Sequence, residues 1–250
     1  MSKVKGIVLC GGKGTRLRPL THYIQKTMVP VGVKQKPLLE YVVRLFKFHG
    51  IKDLVFLVNY KAEQIRNYFD DGSRFGVNIS YVEDDPTSKG TGGAVLTAYN
   101  KGAVSTDDTL LVYYGDIITN MNLTDLLQYH KNKQAWSTVA LSLGFKVRVG
   151  LANLDSDARI LGFEEKPTLE KPVSVGISVL NGELLDEMKR LKGEKPELDF
   201  MGEVLPHLLK AGKPVYGYVS KAFWYDVLST EAYEKLDPQL VEETFKEILG

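Results

Sequence analysis

Apolar and polar positions alternate between two periods along the first half of the chain. Short, nearly continuous apolar runs at 6–10 (GIVLC), 53–60 (DLVFLVNY), 77–84 (VNISYVED) and 109–116 (TLLVYYGD) have the length of buried strands. The segments between them carry the helical period. At 37–50, PLLEYVVRLFKFHG spaces Leu38, Tyr41, Val42, Leu45 and Phe46 along one stripe and stops at Gly50, a natural C-terminal cap. Further helices are predicted at 61–72, 90–102 (entered through a glycine turn) and 123–133. Repeated strand–helix–strand units with apolar strands imply a parallel sheet covered on both faces. In such a sheet ligands gather at the carboxyl ends of the strands, which places residues 11–16, 83–93 and Asp116 on one rim.

The second half is richer in strands. Runs at 137–144, 148–155, 159–167, 173–181 and 214–220 are predicted strands; helices are expected at 182–191, at 200–211 and from about 230 onward. No Pro/Gly/Ser linker, internal repeat or low-complexity tract divides the chain. The fold class that follows is α/β: a Rossmann-like, mostly parallel mixed sheet with helices on both faces, three layers deep.

Composition narrows the chemistry. With 32 Lys+Arg against 31 Asp+Glu among 250 residues, the formal net charge is +1, so no broad basic field favours nucleic acid as a partner. An anionic substrate would have to be met by a local cluster. One cysteine, Cys10, permits no disulfide within the chain and suits a reducing, cytoplasmic setting. No apolar run is long enough for a membrane span or a secretory leader, so no membrane association is expected. His22, His49, His130 and His207 show no metal-ligand spacing with Cys10.

The candidate for that local cluster follows the first strand: LCGGKGTRLRPLT, 9–21. Adjacent glycines let backbone N–H groups approach a polyphosphate, and an arginine can pair with phosphate oxygens through two parallel bonds. Neither common pattern fits. Leu17 stands where a dinucleotide fold has its third glycine, and the P-loop G-x-x-x-x-G-K-[ST] is absent.

This loop, followed by KTMVPVGVKQKPLLEY at 26–41, resembles the N-terminal signature of the sugar-1-phosphate nucleotidyltransferases, the NDP-sugar pyrophosphorylases, in their short single-domain form. The resemblance continues through Gly90-Thr91-Gly92-Gly93-Ala94, Tyr114-Gly115-Asp116, Gly150, Phe163-Glu164-Glu165-Lys166-Pro167, Val175-Gly176-Ile177 and Trp224-Tyr225-Asp226-Val227, and thins after about residue 236. It implies transfer of a nucleotidyl group from an NTP to a sugar 1-phosphate, with release of pyrophosphate. It implies a catalytic domain over 1–236, with a nucleotide-binding half at 1–120 and a sugar-phosphate-binding half at 121–236. A helical tail at 237–250 and a homo-oligomer are expected. The chain stops soon after this domain, which predicts no appended β-helix or acetyltransferase domain.

By the same resemblance Arg16 acts on the leaving pyrophosphate, Lys26 on the α/β phosphates and Lys166 on the sugar phosphate, while Asp116 and Asp226 hold Mg²⁺. Leu9, Gly11, Gly12, Gly14, Thr15, Gly90 and Thr91 are the expected nucleotide contacts, and Gly150, Glu165 and Gly176 the sugar contacts. Glu83 and Asp85, from the acidic run Glu83-Asp84-Asp85, are the candidates for reading the base where pyrimidine-specific relatives often carry glutamine. Glucose 1-phosphate with UTP or dTTP is the leading expectation, and mannose or heptose 1-phosphate with GTP the alternative. A non-catalytic subunit that binds NDP-sugar is the reading from another class.

Overall fold

The computed structural model describes residues 3–147 and 149–249. Arg148, where the predicted strand 148–155 begins, lies outside them, as do the first two residues of the 1–236 domain and the last of the 237–250 tail.

Seven strands build the central sheet: β1 (Val4–Leu9), β2 (Asp53–Val58), β3 (Asn78–Glu83), β4 (Thr109–Tyr114), β5 (Ser137–Ser142), β6 (Val173–Asn181) and β7 (Val215–Ser220). Their order is β7-β5-β6-β4-β1-β2-β3. The pairs β1–β2, β1–β4, β2–β3 and β5–β7 are parallel; β6 runs antiparallel between β4 and β5. The two halves of the chain therefore share one sheet, sewn together by β6.

Alternation along each strand sorts side chains into two cores. Val8, Leu54, Phe56, Leu111, Tyr113 and Val179 face one way, under α1 (Leu38–Phe48), α2 (Ala62–Phe69), α4 (Leu123–Asn132) and the C-terminal helices. Ile7, Val55, Leu57, Leu110, Val112 and Leu180 face the other, under α3 (Gly90–Asn100), α5 (Leu184–Lys192) and α6 (Leu205–Lys210). This is the three-layer α/β/α arrangement expected. Pro238–Thr244 and Lys246–Leu249 are helical, and Val241, Phe245 and Leu249 join the first core, with Phe245 edge-on to Tyr41 at 5.1 Å.

The predicted helix 200–211 opens instead with a π-helical turn at Phe200–Val204. Among the described residues, three short two-stranded ribbons accompany the sheet. One pairs Ile117–Thr119 with Trp224–Asp226; another pairs Leu151–Leu154 with Ile160–Glu164. The second is a solvent-exposed hairpin carrying Phe163 and Leu161 at its surface.

Candidate active site

At the carboxyl end of β1 the chain turns through Gly11, Gly12 and Gly14 into a single 3-10 turn, Thr15–Leu17. Each glycine answers a different need. A Cβ on Gly11 would lie 2.7 Å from Asp84 Oδ2, so the missing side chain lets that carboxylate close on the loop. Gly14 has φ +58 and would press a Cβ on Lys26 and Thr21. Gly12 faces open space within 4 Å, which leaves its backbone accessible from the cleft.

The loop is tied to the next element by Gln25, a fully buried side chain. Its Nε2 donates to the Cys10 carbonyl, and its Oε1 accepts from Thr27 N and, at 2.7 Å, from Thr27 Oγ1. Lys26 is thereby turned inward, and its Nζ donates to Asp116 Oδ2 in a largely buried ion pair. Asp116 follows β4 and Gly115, whose own N–H donates to the Leu9 carbonyl at 3.0 Å. A polar pocket of about 230 Å³ results, lined by Leu9, Gly12, Gly14, Thr15, Arg16, Lys26 and Asp116 among others.

Asp226 reaches this region from the far end of the chain. It pairs with Ile117 across the short ribbon, and Val227 N donates to the Asp116 carbonyl at 3.1 Å. Asp116 and Asp226 thus stand on neighbouring segments at the same strand ends. Among the described residues no cluster of three or more His, Cys, Asp and Glu could cage a metal ion. Two carboxylates suit Mg²⁺ nonetheless, because that ion keeps waters and takes substrate phosphates as most of its ligands.

A second pocket, of about 340 Å³, adjoins the first through the shared residues Leu9 and Leu228. Thr91, Gly176 and Asp226 line it. Gly176 has φ +74 and sits where the register of β6 against β5 shifts, with Tyr114 and Ile117 3.2–3.3 Å from its virtual Cβ.

Other expected site residues are placed elsewhere. Glu83 is exposed and bonded by Arg66 Nη2 at 3.0 Å. Asp85 closes a local turn, accepting from Thr87 N at 2.8 Å and Thr87 Oγ1 at 2.7 Å. Within that acidic run it is Asp84 that meets the glycine loop, half-buried, bonded by Asn59 Nδ2 at 3.3 Å and shifted toward protonation by desolvation. Gly90, at φ +81, packs against the Leu198 carbonyl, 2.5 Å from its virtual Cβ. Thr91 Oγ1 donates to Asp199 Oδ2 at 3.0 Å and accepts from Phe200 N at 2.9 Å. Glu165 and Lys166 lie beyond the exposed hairpin, their charged groups 3.6 Å apart, and line neither pocket. Gly150 lies beneath Phe163 and beside Glu165, 2.9 Å from virtual Cβ to Oε2.

Gln25, Asp84 and Asp199 escaped the reading of the sequence. Gln25 acts on the Cys10 carbonyl and Asp199 on the Thr91 hydroxyl, both remote in sequence, and Asp84 differs from its two acidic neighbours in burial.

Comparison with known proteins bears on the family and the fold. The sequence model of the Nucleotidyl transferase family matches residues 5–243. A UTP–glucose-1-phosphate uridylyltransferase of Synechocystis sp. is 34% identical over 238 residues, 90% of this chain and 60% of that protein. A mannose-1-phosphate guanylyltransferase of Mycobacterium tuberculosis is 32% identical over 245 residues, 96% of this chain and 65% of that one. The chain thus spans about 60–65% of the length of these two curated relatives. Among solved structures, HddC from Yersinia pseudotuberculosis shares the fold with a TM-score of 0.69 at 21% identity, covering 93% of this chain and 97% of its own. A Bacillus anthracis structure named for glucose-1-phosphate thymidylyltransferase superposes with a TM-score of 0.74 at 23% identity, covering 93% of each chain.

Proposed function

The chain belongs to the nucleotidyl transferase family, and from that premise we propose that it joins an NTP to a hexose 1-phosphate, releasing pyrophosphate and forming an NDP-sugar. The observation that carries the reading is the adjoining of two unlike pockets at the strand ends. The polar one offers open backbone at Gly12 together with Arg16, Lys26 and Asp116; the other is a larger, mostly apolar chamber reached past Leu9 and Leu228. A triphosphate fits the first, and a sugar ring fits the second.

In this reaction an oxygen of the sugar phosphate forms a bond to the α-phosphorus as the bond to the β-phosphate oxygen breaks. The attacking group is already an anion, so the protein has no proton to remove. Its task is to hold two polyanions in line and to balance their charge. Gly12, Gly14 and Thr15 form the grip on the triphosphate, and Arg16 takes the departing pyrophosphate. Lys26 serves the α/β phosphates, drawing on the ammonium that now neutralises Asp116. Asp116 and Asp226 would hold Mg²⁺, which when bound screens the repulsion between the α-phosphate and the incoming sugar phosphate. Lys166 and Glu165 are assigned to the sugar phosphate and sugar hydroxyls, which requires the segment beyond the hairpin to approach the chamber.

Relatives that share about a third of this sequence are named for glucose 1-phosphate with UTP and for mannose 1-phosphate with GTP, which supports a hexose 1-phosphate as acceptor. Gly11, with Asp84 closed upon it, is the candidate base-reading wall. Among the described residues no helix is long and apolar enough to cross a membrane. The lone, buried Cys10 supports placement in the cytoplasm, and assembly as a homo-oligomer belongs to the same proposal.

The test is release of pyrophosphate from Mg²⁺, each of the common NTPs and a panel of sugar 1-phosphates. Release with at least one pair is expected; silence with every pair overturns the transferase reading.

A further inference from the structure

Resting on that transferase reading, the geometry points to an acceptor sugar that bears a methyl group, seated on the floor of the second chamber. Six lining residues of that chamber are less than 9% exposed and form its floor: Val95, Val112, Ile117, Val175, Phe200 and Ser178. Five are apolar: Val95, Val112 and Phe200, from α3, β4 and the π-helical turn, belong to the core beneath α3, and Ile117 and Val175, from the short ribbon and β6, belong to the opposite core and reach the chamber at the strand ends. Of the hydroxyls above them, that of Thr91 is engaged as both donor and acceptor, while that of Ser174 is used only as an acceptor. Thr91 Oγ1 is held by Asp199 and by the Phe200 N–H, and Ser174 Oγ accepts from Gly176 N at 3.5 Å.

The other polar side chains of the wall, Tyr114, Asp226 and the indole N–H of Trp224, belong to the strand ends that carry Asp116 and so mark the phosphate end of the chamber. A sugar 1-phosphate anchored there would direct a ring substituent at the floor. A hydroxyl placed on the floor exchanges water for carbon, with Ser178 as its one prospective partner. A methyl group placed there is buried to advantage. Two sources supply such a methyl: a 6-deoxy sugar, through C6, and a 2-acetamido sugar, through its acetyl group.

The experiment compares kcat/KM for glucose 1-phosphate, 6-deoxyglucose 1-phosphate and N-acetylglucosamine 1-phosphate, each with the best NTP and Mg²⁺. One methyl-bearing substrate is expected to exceed glucose 1-phosphate by about ten- to a hundredfold, the range over which an apolar pocket separates such analogues. The winning substrate identifies which methyl is seated. Equal or higher kcat/KM for glucose 1-phosphate overturns the inference while leaving the transferase reading intact. No pyrophosphate from any of the three, nor from the wider panel, overturns both. The variant Val112→Thr adds a hydroxyl to the floor; it should lower the ratio of kcat/KM for the methyl-bearing sugar to kcat/KM for glucose 1-phosphate several-fold. An unchanged preference in folded Val112→Thr counts against the floor as the selecting surface. If that variant does not fold, the substrate comparison on the unaltered protein decides.

Discussion

Asp116 illustrates how much one side chain is asked to do at this site. Its carboxylate accepts from Lys26, stands beside the segment bearing Asp226 and lines the polar pocket. Asp116→Asn keeps the shape and removes the charge. It should cut kcat by at least about a hundredfold, the usual loss when one electrostatic group of a preorganised site is removed. Its circular dichroism should match the parent, and near-parental turnover would remove Asp116 from the mechanism. Gly12 makes a second case. A Cβ there meets no protein atom within 4 Å, so Gly12→Ala should fold with unchanged stability. The added methyl occupies space assigned to the triphosphate, and the KM for NTP should rise about tenfold or more, as expected when a charge-assisted contact is disturbed. An unaltered KM would move the nucleotide elsewhere.

The junction of α3 with the π-helical turn joins the first half of the chain to the second. Gly92 N and Gly93 N both donate to the Leu198 carbonyl, and Gly90 needs both its positive φ and its missing Cβ to pass. Gly90→Ala is therefore strained in two ways and should cost about 1–3 kcal/mol, read as a fall in thermal midpoint of several degrees. A midpoint within one degree of the parent would show that the junction is softer than its contacts suggest. α4 holds a different kind of strain. His130, 6% exposed, packs from α4 onto β5 with its Nδ1 2.9 Å from Thr138 Oγ1, and burial lowers its pKa to about 4. Above pH 6.5 the ring is neutral in both folded and unfolded chains and has no effect on pH dependence. As pH falls from about 6.5 toward 4, the unfolded chain takes a proton that the fold refuses. Stability drains away across that window, by on the order of 3 kcal/mol in all. Denaturation midpoints at pH 7 and pH 4.5 should thus differ more for the parent than for His130→Gln; equal differences would mean the ring is not sheltered.

For the molecule as a whole, β6 matters most. It comes from the second half of the chain and lies against β4 of the first, and the larger core mixes Val8 and Phe46 with Val175, Val227 and Phe245. Neither half can keep its core without the other. We therefore expect urea unfolding to follow one transition, with far-UV circular dichroism coinciding with the fluorescence of Trp136 and Trp224. Two separated transitions would restore a boundary near residue 120. The +1 net charge belongs to this scale too, because it provides no long-range field and leaves positive charge at the polar pocket to the local pair Arg16 and Lys26.

Much of this protein is legible in its chain. Strand and helix periods are properties of neighbouring residues, and they suffice for the three layers, the parallel run and the rim on which Gly12, Arg16 and Asp116 meet. The phosphate loop is legible for the same reason, since its glycines and arginine fall within six residues. Other features depend on which distant atoms are brought together and which are kept from water. The choice of Asp84 over Glu83 and Asp85 at the glycine loop is a difference in burial. The engagement of Thr91 by Asp199, the anchoring of two turns by Gln25 and the gathering of five apolar residues into a chamber floor depend on long-range packing. No local pattern records such contacts, because their free energy arises when the sheet closes and water leaves.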